Sequence, residues 1–338
     1  MARKFFDHEQ FNFEFQCALG GVHYGAGDVG ELLSTADRVV DGDADSWCQE
    51  WIATAQRLVT VAEGCASSGH QVSARAAYLR AATYYAMALS SVDGTKDPGA
   101  LLQSTFTEHR RCFDAYAELL DPPAERVKIP YEDQTMPGYL FRPAKTDVPC
   151  RTLIMNNGSD GPMTSIWPAV SAGGVARGYN VLIFDGPGQQ SMLFERGVPF
   201  RHDWEHVITP VVDFLLARSD VDPSQIVLYG ISQAGYWVPR AVAFEHRIAA
   251  AIADPGAMTS SSRGGRRCLQ HCCSFSTPAT SRPSTGSSTK ECSRRLRRSG
   301  RTGSGGQNRT AWTPPSTCSR PLANTTSPTW SIRSRLHC

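Results

Sequence analysis

The sequence predicts an α/β fold, a mainly parallel sheet with helices on both faces, preceded by an all-helical segment. Three observations carry that expectation. Between residues 126 and 253, short apolar runs alternate with helical stretches, as parallel strands joined by crossover helices would. Before Pro122 the apolar residues recur at helical spacing, with no strand-like alternation. One apolar run ends in Gly230-Ile231-Ser232-Gln233-Ala234-Gly235, small residues around a serine where a strand meets a helix.

The elements follow in chain order. Residues 28–40 begin with an acid and carry Val29, Leu32, Leu33, Ala36 and Val39 on one helical face. Residues 44–65 and 71–89 read as a helix pair across the turn Ser67-Ser68-Gly69, with small alanines facing aromatics. Residues 103–120 form another helix, stopped by Asp121-Pro122-Pro123. The period then changes. Strands are expected at 126–130 and 138–142 around Glu132-Asp133, then at 152–156, 181–185, 226–229 and 249–253, with helices at 166–177, 202–218 and 235–245. This divides the chain into a helical domain at 1–123, an α/β core at 124–258 and a tail at 259–338. Gly25-Ala26-Gly27-Asp28-Val29-Gly30 matches the G-x-G-x-x-G pattern of dinucleotide sites. That motif needs a strand before it and a βαβ unit around it, and neither is present, so it reads as a loop feeding a helix.

The chemistry centres on Ser232. An apolar strand, a tight turn of small residues and an immediate helix form a nucleophile elbow, which lifts a serine Oγ above the sheet. The helix dipole behind it favours negative charge nearby. Asn156-Asn157-Gly158-Ser159-Asp160-Gly161 follows the strand at 152–156. In sheets of this kind that loop supplies one backbone N–H to an oxyanion hole and the residue after the nucleophile supplies the other. Gly158 and Ser159 are the upstream donor candidates and Gln233 the downstream one. An ordinary Asn/Gly turn is the competing reading of the loop. Asp185-Gly186-Pro187-Gly188-Gln189, after the next strand, closes the same rim and reads as architectural, with substrate contact an option.

Together the segments ALGGVHYGAGDVGE, NGSDG, FDGPGQ, LYGISQAG and IADPG, in that order over residues 5–258, resemble the FrsA-like α/β-hydrolases. The resemblance implies an α/β-hydrolase fold with an N-terminal helical lid and a Ser-His-Asp triad with Ser232 as nucleophile. It also implies cleavage of an ester or of the C–C bond of a 1,3-dicarbonyl small molecule, without metal or organic cofactor. A helical lid of this type often offers a homodimer surface.

Acid and base follow the serine in such enzymes. Asp254 can be a triad acid in a variant arrangement, or a residue of the ordinary turn Ala253-Asp254-Pro255-Gly256. No histidine stands in a convincing position: His202 and His206 precede the serine and suit a helix surface, His246 adjoins the elbow helix, and His271 and His337 lie in the tail.

The net charge of +2 hides two compositions. Residues 263–338 hold 14 Lys and Arg against one acid, Glu291, whereas residues 1–262 carry a net of −11. An acidic ordered part argues against nucleic acid as its natural partner. The tail is rich in Ser, Arg, Thr, Pro and Gly and has no structural period, a composition that cannot bury enough apolar surface to order itself. A basic arm lacks interleaved aromatics, and a zinc site at Cys268, His271, Cys272 and Cys273 lacks a second ligand pair. A slipped reading frame accounts for the break best. Back-translated with GC-rich codons and read one frame over, residues 280–293 give EPAFDRLIDEGMF, a helix-like string. The expectation is therefore a serine hydrolase impaired in this chain; a non-catalytic or interaction protein using the helical domain and basic tail is the alternative. Scattered cysteines, no ~18-residue apolar span and no apolar leader at the N-terminus fit a cytoplasmic protein away from membranes.

Overall fold

The computed structural model describes residues 4–143 and 148–255. The tail at 259–338, with the frame-slip and zinc readings and with His271 and His337, lies outside them.

The chain opens with helices. α1 (Glu9–Gly21) buries Phe11, Phe15 and Ala18, and its start is capped by His8, whose ring accepts from the Phe11 N–H. α2 (Val29–Ala36) is capped by Asp28, and α3 (Ala44–Ser67) by Asp43, each carboxylate accepting a backbone N–H of the first turn. Gly25, φ 75°, ends a 3₁₀ turn, so the glycine-rich motif is a loop leading into α2. α4 (Gln71–Leu89) is buried around most of its circumference, which its alanines permit by letting α3 and α5 (Pro98–Glu118) approach closely. α5 begins five residues before the expected start because Pro98 is preorganised for the first helical turn.

Six strands follow: β1 (Glu125–Tyr131), β2 (Gln134–Phe141), β3 (Cys150–Asn156), β4 (Asn180–Phe184), β5 (Val221–Ile231) and β6 (Ala250–Asp254). Their order in the sheet is β1-β2-β4-β3-β5-β6, with β1, β2 and β4 antiparallel in sequence and β4, β3, β5 and β6 parallel. β5 is longer than the expected 226–229, since Val221 already pairs with Cys150. The register then shifts before Ile226 meets Thr152, which accommodates the turn signals Asp222-Pro223-Ser224 within the strand. The expected helix at 166–177 is instead a 3₁₀ turn (Met163–Ser165), a π turn (Trp167–Ser171) and α6 (Ala172–Ala176). Pro168 and the pair Gly173-Gly174 are poor continuations of a regular helix. α7 (Gln190–Phe194), α8 (Glu205–Leu216) and α9 (Ala234–Val242) complete the described chain. None of the described helices is long and apolar enough to cross a membrane.

Strand alternation sorts side chains into two cores. Leu153, Met155, Val181, Ile183, Tyr139 and Phe141 join α1, α3, α4 and α5 in one continuous cluster. Ile154, Leu182, Phe184, Ile226 and Leu228 point the other way, against α8 and α9. The helical layer thus has no separate core; its aromatics and the sheet face are one packed body. α5 also reaches past the strand ends: Phe106 meets Phe194 edge-on, and Arg110 stands 3.8 Å from Asp185.

Candidate active site

β3 lies between β4 and β5, so chain order reverses at its carboxyl end, the place where open α/β sheets hold ligands. In register, Asn156 sits beside Phe184 on one side and Gly230 on the other. The loops after these three strands therefore meet.

After β5 the chain turns sharply at Ser232, whose φ of 58° is left-handed, a conformation unfavourable for a residue with a side chain. The turn is tight enough that a Cβ on Gly230 would collide with the Ala234 carbonyl oxygen, and one on Gly235 with that of Pro255. α9 starts two residues later, at Ala234. Ser232 donates its backbone N–H to the Asp254 carbonyl oxygen at 2.7 Å. Its side chain is exposed at the rim, and no described residue is hydrogen-bonded to Oγ.

The 156–161 loop arrives beside it. A Cβ on Gly158 would lie 3.0 Å from Ser232 Oγ and 3.2 Å from the Gln233 nitrogen, so only glycine lets the backbone come this close. The sequence-predicted donors differ in availability. The Gly158 N–H is engaged by Asn157 Oδ1 at 2.9 Å, whereas the N–H groups of Ser159 and Gln233 have no acceptor among the described residues. Two buried asparagines brace the loop. Asn156 Oδ1 accepts from Trp204 Nε1 at 2.6 Å and its Nδ2 donates to the Asn157 carbonyl, while Asn157 Nδ2 donates to the Gly161 carbonyl.

Gln189 and Asp185, on the rim after β4, belong to the same assembly, in the architectural place that the sequence suggested for the Asp185–Gln189 segment. Gln189 is almost wholly buried, and its amide is committed to protein partners, which leaves it nothing for a substrate. Asp185 is buried, with Oδ2 accepting from the Ser191 N–H and Oγ and with Oδ1 unpartnered. Burial opposes charge on Arg110, but Tyr139, Asp185, Asp114 and Glu195 together hold its pKa above the usual value.

Asp254 reaches the elbow, yet its carboxylate accepts from the Tyr229 hydroxyl at 2.7 Å. Burial, then this bond, raises the tyrosine's pKa. No described histidine contacts Asp254 or Ser232. His109, buried in α5, bonds the Ala82 carbonyl and Thr164; burial pushes its pKa down to about 3, so the ring stays neutral. His206 is exposed on α8, as expected, whereas His202 is exposed in the loop before that helix; both lie beside Asp203. Among the described residues no group of three or more His, Cys, Asp or Glu is placed to hold a metal ion.

The chain is similar to several hydrolases. The chain is 35% identical over 263 residues to the hydrolyase poxO of Penicillium oxalicum, covering 75% of this chain and 62% of the relative. It is equally identical over 262 residues to the 20-hydroxy-prefusarin hydrolase FUS2 of Gibberella moniliformis, with the same shares covered. The crystal structure of 2,6-dihydroxy-pseudo-oxynicotine hydrolase superimposes with a TM-score of 0.58 at 24% identity, over 68% of this chain and 62% of that one. By fold, the chain is an α/β-hydrolase. The α/β-hydrolase resemblance read from NGSDG, FDGPGQ and LYGISQAG is borne out. No family model matches the sequence. The chain spans less than two thirds of the length of these hydrolase relatives.

Proposed function

We propose that this α/β-hydrolase is a serine hydrolase that cleaves an ester, or the C–C bond of a 1,3-dicarbonyl small molecule, through an acyl-enzyme on Ser232. The observation that carries the proposal is the left-handed Ser232 with Gly158 packed against its Oγ and, beside it, a Gln233 N–H with no acceptor among the described residues. The names of the relatives support hydrolysis. In this mechanism Ser232 Oγ loses its proton to a base and attacks the carbonyl carbon. The Gln233 and Ser159 N–H groups hold the oxygen that becomes negative, the leaving group departs protonated, and water releases the acyl group. The helical layer acts as a lid, with α5 closing over the loops that follow β3 and β4.

Among the described residues no histidine is bonded to Ser232. We expect weak turnover from the 338-residue chain and strong turnover once the reading frame after residue 258 is restored. Loss of a triad partner leaves contributions on the order of 10³–10⁴ over water from the oxyanion site and binding. The second reading is a non-catalytic protein that uses its helical domain and basic tail for interaction. Hydrolysis of p-nitrophenyl esters by both chains, with Ser232→Ala as control, separates them. Ser232-dependent activity in the restored chain supports catalysis; activity unaffected by Ser232→Ala removes the serine from the mechanism. Robust Ser232-dependent turnover by the 338-residue chain defeats the expectation of impairment.

A further inference from the structure

We infer that Gln189 is a positioning residue that sets the oxyanion site by fixing two successive peptide planes of the 156–161 loop. The inference rests on the reading of Ser232 and its neighbours as an ester-activating site. The side-chain amide of Gln189 reaches from the end of β4 to the loop after β3. Its Nε2 donates to the carbonyl oxygens of Asn157 and Gly158, both at 2.8 Å. Its Oε1 accepts the Gly186 N–H at 2.6 Å, which orients the amide so that both N–H donors face the loop. The residue is 1% exposed, so no water competes for these bonds.

The geometry has a chemical consequence. A trans peptide is planar, with its C=O and N–H pointing in opposite directions. Holding the Asn157 carbonyl aims the Gly158 N–H away from Gln189, where Asn157 Oδ1 takes it. Holding the Gly158 carbonyl aims the Ser159 N–H away from Gln189 as well, and this one has no acceptor among the described residues. Gly158 itself packs on Ser232 and the Gln233 nitrogen. Asn157 thus takes the Gly158 N–H and leaves Ser159 as the upstream oxyanion donor, while Gln189 keeps both planes from flipping when charge develops. Preorganised donors of this kind work because they need no reorientation at the moment of reaction.

The test is p-nitrophenyl acetate hydrolysis by the 338-residue chain and its Gln189→Ala, Gln189→Glu and Ser232→Ala variants, with melting temperature measured on each. Removing one oxyanion donor costs about 10²–10³ in kcat, and loosening one should cost about 10–100-fold. We expect that loss in kcat for Gln189→Ala with KM changed less than threefold. Gln189→Glu keeps the shape and, when protonated, one donor; ionised, it faces two carbonyls with none. Its kcat relative to wild type at each pH should recover in acid and collapse as the carboxyl ionises. A kcat equal to wild type in both variants overturns the role of Gln189 alone. So does a loss in Gln189→Glu that matches Gln189→Ala at every pH and follows the melting temperature, since that is a packing defect. A rate indistinguishable from buffer in both this chain and the frame-restored one overturns the ester-activating site itself, and the positioning role falls with it.

Discussion

The backbone N–H of Ser232 bonds the carbonyl oxygen of Asp254, so the neighbouring strand, not the turn alone, holds the serine in its left-handed conformation. A side chain there costs about 1–2 kcal/mol that glycine avoids. Ser232→Gly should therefore be more stable than Ser232→Ala by about 1 kcal/mol in urea unfolding, although both lose the hydroxyl. The reverse order would mean that Ser232 is not left-handed.

Glycine substitutions should split by location. Gly230→Ala drives a methyl into Ala234 and Val238 and should destabilise by about 2 kcal/mol or more. Gly64→Ala, in an exposed helical position with nothing within 4 Å, should stabilise by up to about 1 kcal/mol. Equal effects from the two would contradict the tight elbow.

Glu14 on α1 predicts a pH dependence near neutrality. Burial, with repulsion from Asp160, pushes its carboxyl up to about 7 from 4.5. The folded state therefore holds the proton more tightly than the unfolded one. Its contribution is complete below pH 4.5 and is lost as pH rises through about 7, at up to about 1.4 kcal/mol per pH unit. Glu14→Gln should flatten that part of the profile; an unchanged slope would assign it to another group.

At the far end of the sheet, Arg218 and Arg142 bridge Glu125 and Asp220. Their hydrogen bonds hold Asp220 down at about 2. Here the sign reverses: the contribution is present above 3.8 and lost as pH falls through about 2. The groups are partly exposed, so Arg218→Met should cost only about 1 kcal/mol at pH 7 and nearly nothing below pH 2. A cost that persists in acid would point to lost packing of the arginine stem.

Removing residues 1–120 would strip cover from Tyr139, Phe141, Leu153, Met155, Val181 and Ile183, which share a core with the helices. The truncated chain should aggregate, as sedimentation would detect. A stable monomer would refute the shared core.

Local signals carried much of the fold. The apolar runs at 152–156 and 181–185, and small residues around Ser232, located β3, β4 and the elbow to within a residue or two. α1 was not delimited, because its cap is His8, outside the usual capping residues. The break at Pro168 depends on how a π turn packs, which periodicity does not encode. Gly158 lies beside Ser232, but the inequivalence of Gly158 and Ser159 depends on Asn157 and Gln189, the latter 30 residues downstream of Ser159. Only the parallel register of β3 and β4 brings that amide to the loop.

The continuous core also shapes how the chain is made. It closes only when β4 has left the ribosome, because Ile183 is among the residues that α1 through α5 pack around. At about 5–20 residues per second, the interval between synthesis of Phe6 and that of Ile183 is on the order of ten seconds. Until then, the newly formed helices present Phe113 and Tyr116 without their later partners Tyr139, Phe141 and Trp167. The nascent helical hairpin is thus a natural client for a chaperone, and synthesis slowed between α5 and β4 would lengthen its exposure.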